Sequence, residues 1–214
     1  YDSEANFDDT TYTYTGYHLT GWNTNPAGTG TSYSVNTPVK NIATEGIITL
    51  YAEWEENTDT PYVVIHKQQQ LNGSYVEVDR DELTGTSDAQ ITPAVKSYTG
   101  FTSPTAVTTT ISRFGTTEVV YEYDRLPCEL TITDRTYLSN GSSANGTYMY
   151  GETITLTAQE RNHYDFKWSD NDTNYTKQFT ITEDITLETI YTLERVTVTF
   201  DSNGGGEVNS ITVD

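Results

Sequence analysis

Apolar and polar residues alternate with a period of two along most of this chain, the spacing that puts successive side chains on opposite faces of a β-strand. In "IITLYAEW", Ile48, Leu50, Ala52 and Trp54 share one face. "TPYVVIH" is a continuous apolar strand, and "SYVEV" sets Tyr75 and Glu77 against Val76 and Val78. Between those runs stands "LNGS", an Asn-Gly turn of the kind that joins hairpin strands. "TEVVYEYD", "ELTIT", "ETITLTA", "QFTIT", "ITLETIY" and "VTVTF" extend the pattern. No window carries a sustained 3.6-residue apolar stripe, and "SDAQITPAVKSY" is the best place for a short helix or turn. The predicted class is all-β or β-rich, with short or no helices.

Composition supports that class. The 214 residues include 17 Tyr and abundant Thr against one Met and one Cys, and aromatic and β-branched residues suit a pleated surface. The net charge of -20 argues against nucleic acid and against an anionic membrane surface, both of which need a cationic face. No run approaches the ~20 apolar residues of a membrane helix, so no membrane insertion is expected in this segment. Cys128 alternates with Leu130 and Ile132 against Glu129, Thr131 and Thr133, which predicts a buried thiol acting as a small hydrophobe. A near-absence of Cys suits a secreted protein built without disulfides.

Motifs recur in order. "GYHLTGW" (Gly16 to Trp22) resembles "HYDFKW" (His163 to Trp168), and "ITLYAEW" (Ile48 to Trp54) resembles "ITLETIY" (Ile185 to Tyr191). "TFDSNGGG" has a looser echo in "YLSNGSSANG". Segments 195–214 plus 1–56 and segment 126–194 therefore read as divergent copies of one module. "VTFDSNGGGEVNSI", "GYHLTGWNTNPAGTGTSYS" and "ITLYAEW" resemble the internalin-type B repeat, also called the Listeria–Bacteroides repeat. Segment 126–194 resembles a divergent version, without Gly before Trp168 and with Tyr191 in place of a closing Trp. Segment 57–125 resembles the mucin-binding-protein-like repeat through "YVVIHKQQQLNGSYVEV", "LTGTSDAQI", "YTGFT" and "VVYEYD". These resemblances imply tandem small β-grasp-like modules in an elongated arrangement on an extracellular cell surface, with no catalytic residues to carry over.

Residues 195–214 joined to residues 1–56 read through as one uninterrupted repeat. The tail holds the first hairpin of the motif and residues 1–56 hold its C-terminal part. The expectation is that Val196, Val198, Phe200, Val208, Ile211 and Val213 form an inter-subunit or inter-repeat strand set that completes residues 1–56 of the next copy. The same join fits one period of a longer array, a subunit that complements its neighbour strand by strand, or a tail folded back as in a circular permutation. The first two are favoured. Both give a filament, stalk or sheath in which the partner is the chain itself, head to tail or in tandem.

Candidate chemistry is sparse. His18, His66 and His163 fall in three different segments without zinc-ligand spacing, and each reads as a turn or surface residue. "NGGG" (Asn203 to Gly206) reads as a hairpin turn, because strands rather than a helix flank it. The acidic pair Asp8 and Asp9 belongs to no motif. Asp170, Asp172 and Asn174 alternate as in the opening of a calcium loop, but Tyr175 replaces the expected Gly and an ordinary polar loop is the stronger reading. Calcium is the one cofactor candidate. Asn72, Asn140, Asn145, Asn171 and Asn174 each open a glycosylation sequon. Lys40, Lys67, Lys96, Lys167 and Lys177 leave room for isopeptide bonds, with no motif singling one out. Tyr14, Tyr17, Trp22, Trp54, Tyr164 and Trp168 are assigned to the core. The sequence thus points to a non-enzymatic structural protein of the cell surface. The alternative is an adhesin segment binding glycans or other surface proteins.

Overall fold

A computed structural model describes residues 4–7, 12–43, 45–139 and 144–213. The first segment holds β1 (Ala5–Asn6), β2 (Tyr17–Asn23), β3 (Ser32–Ser34), β4 (Pro38–Val39) and β5 (Tyr51–Glu56). The second holds β6 (Thr60–Gln69), β7 (Tyr75–Gly85), β8 (Gln90–Ile91), β9 (Phe101–Thr102), β10 (Thr109–Thr110) and β11 (Thr117–Arg125). The third holds β12 (Pro127–Ile132), β13 (Gly146–Met149), β14 (Thr153–Thr157), β15 (Tyr164–Trp168), β16 (Thr176–Thr180), β17 (Ile185–Leu187) and β18 (Thr189–Leu193). A last hairpin pairs β19 (Val196–Val198) with β20 (Ile211–Val213). Among the described residues there is no helix, so the fold is all-β as the alternation predicted. The chain divides into two compact units. One is Tyr1–Gln68, Tyr75–Ser97 and Ser103–Tyr123; the other is Gln69–Ser74, Tyr98–Thr102 and Asp124–Asp214.

In the second segment the sheet order is β7-β6-β11-β9, with β6 and β11 parallel and Val119 opposite Val64. The turn into β7 forms at "LNGS" as predicted: Gly73 N–H donates to Gln70 O at 2.9 Å, and Gly73 supplies the positive φ of 85°. The inner face carries Val64, His66, Val119, Tyr121 and Tyr123, all buried. Parallel neighbours require a long connection, and here residues 86–116 provide it. At "SDAQITPAVKSY" the turn forms, at Ser87 and Asp88 with Ala89 N–H donating to Thr86 O at 3.2 Å, but in place of a helix β8 and then irregular chain follow. Two tyrosine hydroxyls on β11 take over the backbone bonding that a helix would have supplied: Tyr121 OH donates to Pro93 O at 2.8 Å, and Lys96 N–H donates to Tyr123 OH at 2.9 Å.

The third segment has the larger apolar core. Cys128, Leu130 and Ile132 on β12 pack with Ile154, Leu156, Phe166, Trp168, Ile181 and Leu187. β12 lies between β13 and β17, antiparallel to the first and parallel to the second, with Leu130 opposite Ile185 and Ile132 opposite Leu187. Cys128 is buried as expected, and that burial pushes its thiol pKa up, which keeps it unreactive.

The first and third segments share one frame. Trp22 faces Ala52 across β2–β5 as Trp168 faces Thr189 across β15–β18. Leu19 faces Trp54 as Phe166 faces Tyr191. A bulge between Leu19 and Gly21 absorbs the extra residue of "LTGW" relative to "FKW". The core assignment of the aromatics needs correction. Trp168 is fully buried, whereas Tyr17, Trp22, Trp54 and Tyr164 are half-buried and Tyr14 is exposed. The reason in the first segment is that no counterpart of β12 covers the sheet among the described residues.

Substituting Trp168→Ala should therefore cost about 3–5 kcal/mol, as for a large buried aromatic. Trp22→Ala should cost clearly less. Urea unfolding followed by circular dichroism checks both, and equal losses would contradict the difference in packing.

Candidate functional site

Two surfaces stand out where apolar side chains meet no cover. The first is an open cleft of about 370 Å³ in the first segment, lined by Asn6, Phe7, Tyr12, Trp22, Ile48 and Leu50. The indole nitrogen of Trp22 is buried there without a hydrogen-bond partner among the described residues. Its counterpart in the third segment, Trp168 Nε1, donates to Asn174 O at 2.9 Å. Residues 47–50 belong to no strand, and Ile47 is 98 % exposed. Their counterparts Ile185–Leu187 form β17 against β12.

The second surface is the β19–β20 hairpin. Gly205 N–H donates to Ser202 O at 3.0 Å, and Asn203 and Gly204 have φ of 47° and 93°. Positive φ at both central residues makes a tight β-turn at "NGGG", within the loop of residues 199–210 that joins the two strands. Val196 pairs with Val213 and Val198 with Ile211, so these four share one face, opposite Thr197 and Thr212. Val196, Val198, Phe200, Val208, Ile211 and Val213 are all exposed. A hairpin with an uncovered apolar face is marginal in water.

The segment junctions are the opposite case, closely fitted and polar. Within the first unit, Asn57 N–H donates to Gly16 O and Ser87 N–H to Asn57 O, both at 2.9 Å. Tyr17 OH donates to Asp88 at 2.8 Å, which raises the Tyr17 pKa. Arg113 lies 5.6 Å over the Tyr14 ring, and Tyr14 stacks on Tyr17. Gly16, at φ 80°, admits this approach, since a Cβ there would lie 2.5 Å from Arg113 Cβ. Within the second unit, Arg125 Nε donates to Gln69 O at 2.8 Å, and an Arg125 terminal nitrogen donates to Tyr150 O at 2.6 Å. Its guanidinium also covers the Phe101 ring at 5.1 Å. Gly100, at φ 82°, lies where a Cβ would strike the Tyr150 ring.

The remaining candidates are distributed as follows. His18 and His163 are exposed, and His163 takes a left-handed turn conformation. His66 does not match the expected turn or surface position: it lies inside β6 and is fully buried. The unbroken apolar run around it hid which face it occupies. Tyr123 OH accepts from Lys96 N–H, which leaves its own proton for His66 Nδ1 at 2.8 Å; His66 Nε2–H then faces Asp81 at 3.3 Å. Lys96 Nζ bridges Asp79 at 2.6 Å and Asp81 at 2.8 Å. Its hydrogen bonds hold both carboxyls below the ordinary range, and theirs raise the lysine pKa. His66 is fully buried and lines none of the four described clefts, while its partner Asp81 is partly exposed.

Asp170 and Asp172 do converge, but on Lys177 Nζ, at 2.7 and 3.0 Å. Asn174 points its amide nitrogen at Asp172 Oδ1, at 2.8 Å, as a donor rather than an ion ligand. Backbone N–H donation from Asn174, then Lys177, depresses the Asp172 pKa. No group of three or more His, Cys, Asp or Glu suited to a metal occurs among the described residues. Of the sequon residues, Asn72, Asn171 and Asn174 are exposed. Asn145 is half-buried, and its side chain pairs with β12 through Ile132 N–H at 2.7 Å. Asn140, like Asp8 and Asp9, lies outside the described residues.

The recurrence of one strand register in two segments decides the kinship. The family model of the Listeria-Bacteroides repeat domain matches residues 1–53 and 135–193, together just over half of the chain. The chain belongs to the Listeria-Bacteroides repeat family. This is a repeat of surface-associated proteins, structural in kind. Neither the curated proteins nor the solved structures contain a match to this repeat chain. The mucin-binding resemblance of 57–125 falls wholly outside the matched residues. No helix among the described residues is long and apolar enough to cross a membrane.

The Lys96 bridge carries a pH signature. Because the folded carboxyl pKa values are depressed, its stabilisation is present above the unfolded carboxylate pKa of about 4 and is lost as pH falls through the folded values. Lys96→Met should lower the urea midpoint most at neutral pH, and the gap to wild type should close in acid. A gap independent of pH would contradict the bridge.

Proposed function

We propose that the chain is a structural stretch of an extracellular surface protein: one period or subunit of a filament, stalk or sheath built from β modules. The observation that carries this reading is the fitted junction. Three residues separate β5 from β6 and one separates β11 from β12. Each connection is spanned by backbone hydrogen bonds and an arginine laid on an aromatic ring. Modules that need only hold their neighbours require no pocket and no reactive group, and the family's structural character supports that. The exposed sequons Asn72, Asn171 and Asn174 fit a role in which glycans shield such a fibre.

An adhesin is the second reading. It is favoured by the outward face of β7, where Val76 and Val78 are both exposed, and by Phe114, exposed in a turn beside Arg113. A ligand would use those residues and leave the junctions untouched.

The test is electron microscopy of native material beside a denaturing gel. Filaments that dissolve to chains of this mass, or a single very long denatured chain, support the array. Compact monomers that bind surface glycans favour the adhesin and overturn it. At the junction itself, Arg125→Ala leaves the Gln69 and Tyr150 carbonyls without their donor. It should cost about 1–3 kcal/mol and open residues 124–127 to limited proteolysis. Unchanged protease resistance would count against the clamp.

A further inference from the structure

We infer that the β19–β20 hairpin of one copy of this chain docks into the cleft of residues 4–56 of a second copy, with β19 added as a parallel strand beside Ile48–Leu50. The inference rests on the array reading above and names the contact that joins its copies.

Three independent features converge on it. The hairpin presents an apolar face with no cover: Val196, Val198, Ile211 and Val213 on one side, extended by Phe200 and Val208. The cleft is open among the described residues, and Phe7, Tyr12, Trp22, Ile48 and Leu50 line it together with the polar Asn6. Residues 47–50 beside it lie in no sheet among the described residues. Such an unpaired segment templates another strand. The third segment then shows the finished form of the same frame. There β12 fills the place between β13 and β17, Trp168 is fully buried, and its ring nitrogen is bonded.

The finished form also fixes the register. The two frames align Ile48 with Ile185 and Leu50 with Leu187, through Trp22–Ala52 and Trp168–Thr189. On the donor side, "VTVTF" takes the place of "CELTI", which sets Val196 at Cys128, Val198 at Leu130 and Phe200 at Ile132. Leu130 opposes Ile185 and Ile132 opposes Leu187. The docked strand therefore sets Val198 opposite Ile48 and Phe200 opposite Leu50. Thr197 and Thr212 remain toward solvent, as Glu129 and Thr131 do on β12. A shift by one residue would bury the threonines and expose the valines, so the register is strongly specified.

Disulfide trapping tests this contact in the full chain. In a Cys128→Ala background, chains carrying Val198→Cys are mixed with differently tagged chains carrying Ile48→Cys and oxidised. Opposed residues on neighbouring strands lie within disulfide reach. The expected result is a mixed-tag dimer on a non-reducing gel, well above that from Val198→Cys with Thr49→Cys, whose side chain points to the other face. Equal yields, or no mixed dimer, overturn the inference. So does a cross-link confined to single chains in the Val198→Cys/Ile48→Cys double variant. Val198→Asp alters only an exposed residue, so folding is preserved. It should weaken association in sedimentation by about tenfold or more, because the contact would bury an unpaired carboxylate; undiminished association overturns the inference. Failure here with long native assemblies removes this contact alone, whereas compact native monomers remove the array as well.

Discussion

A β-sheet one layer thick is stable only when something covers its apolar face, and each part of this chain is explained by what does the covering. In the third segment the cover comes from the segment's own β12 and the loops around Trp168, and the result is a closed core from Cys128 to Leu187. In the second, residues 86–116 lie across β6 and β11, tied down by Tyr121 and Tyr123. In the first, the frame is present but among the described residues no strand corresponding to β12 lies on it. That difference accounts for the cleft, the half-buried Trp22 and the unpaired stretch before Tyr51.

Much of this was legible in the sequence because β structure writes itself with period two. The strands at 48–54, 75–78, 117–124, 128–132 and 153–157 all follow the alternation, although the first forms a ladder only from Tyr51. The repeat was visible because Trp22 and Trp168 hold the same register position. What stayed hidden depended on partners far along the chain. Nothing local to "SDAQITPAVKSY" reveals that hydroxyls on β11 will bind its backbone. Nothing local to "DNDTN" reveals that Lys177, on the neighbouring strand β16, will place its ammonium between Asp170 and Asp172. His66 was misplaced because an uninterrupted run of apolar residues has no period to show which face is which.

The junctions show the same economy of small residues at critical points. Gly16 and Gly100 each stand where a side chain would collide with the neighbouring part of the unit, and both adopt a backbone conformation that favours glycine. Close approach then lets Arg113 and Arg125 lie over aromatic rings while serving backbone or hydroxyl acceptors. The chain carries a net charge of -20, and two of its six arginines, Arg113 and Arg125, serve to join segments. General repulsion keeps separate surfaces apart, so association has to be specific and apolar.

That consideration bears on how strongly copies would hold one another. Fully burying a Val, Ile or Phe side chain is worth about 1.5–3 kcal/mol, and the hairpin offers six such residues that are only partly exposed. Against this stands an association cost of about 4–15 kcal/mol for two free bodies. The two are of similar size, so separate chains at low concentration would exchange, and the contact would become durable where copies are already held side by side. Tethering supplies millimolar effective concentration through short linkers, and an array supplies it by construction. An apolar hairpin on an acidic chain would thus stay apart from the cleft at low concentration and close on it where copies are held together.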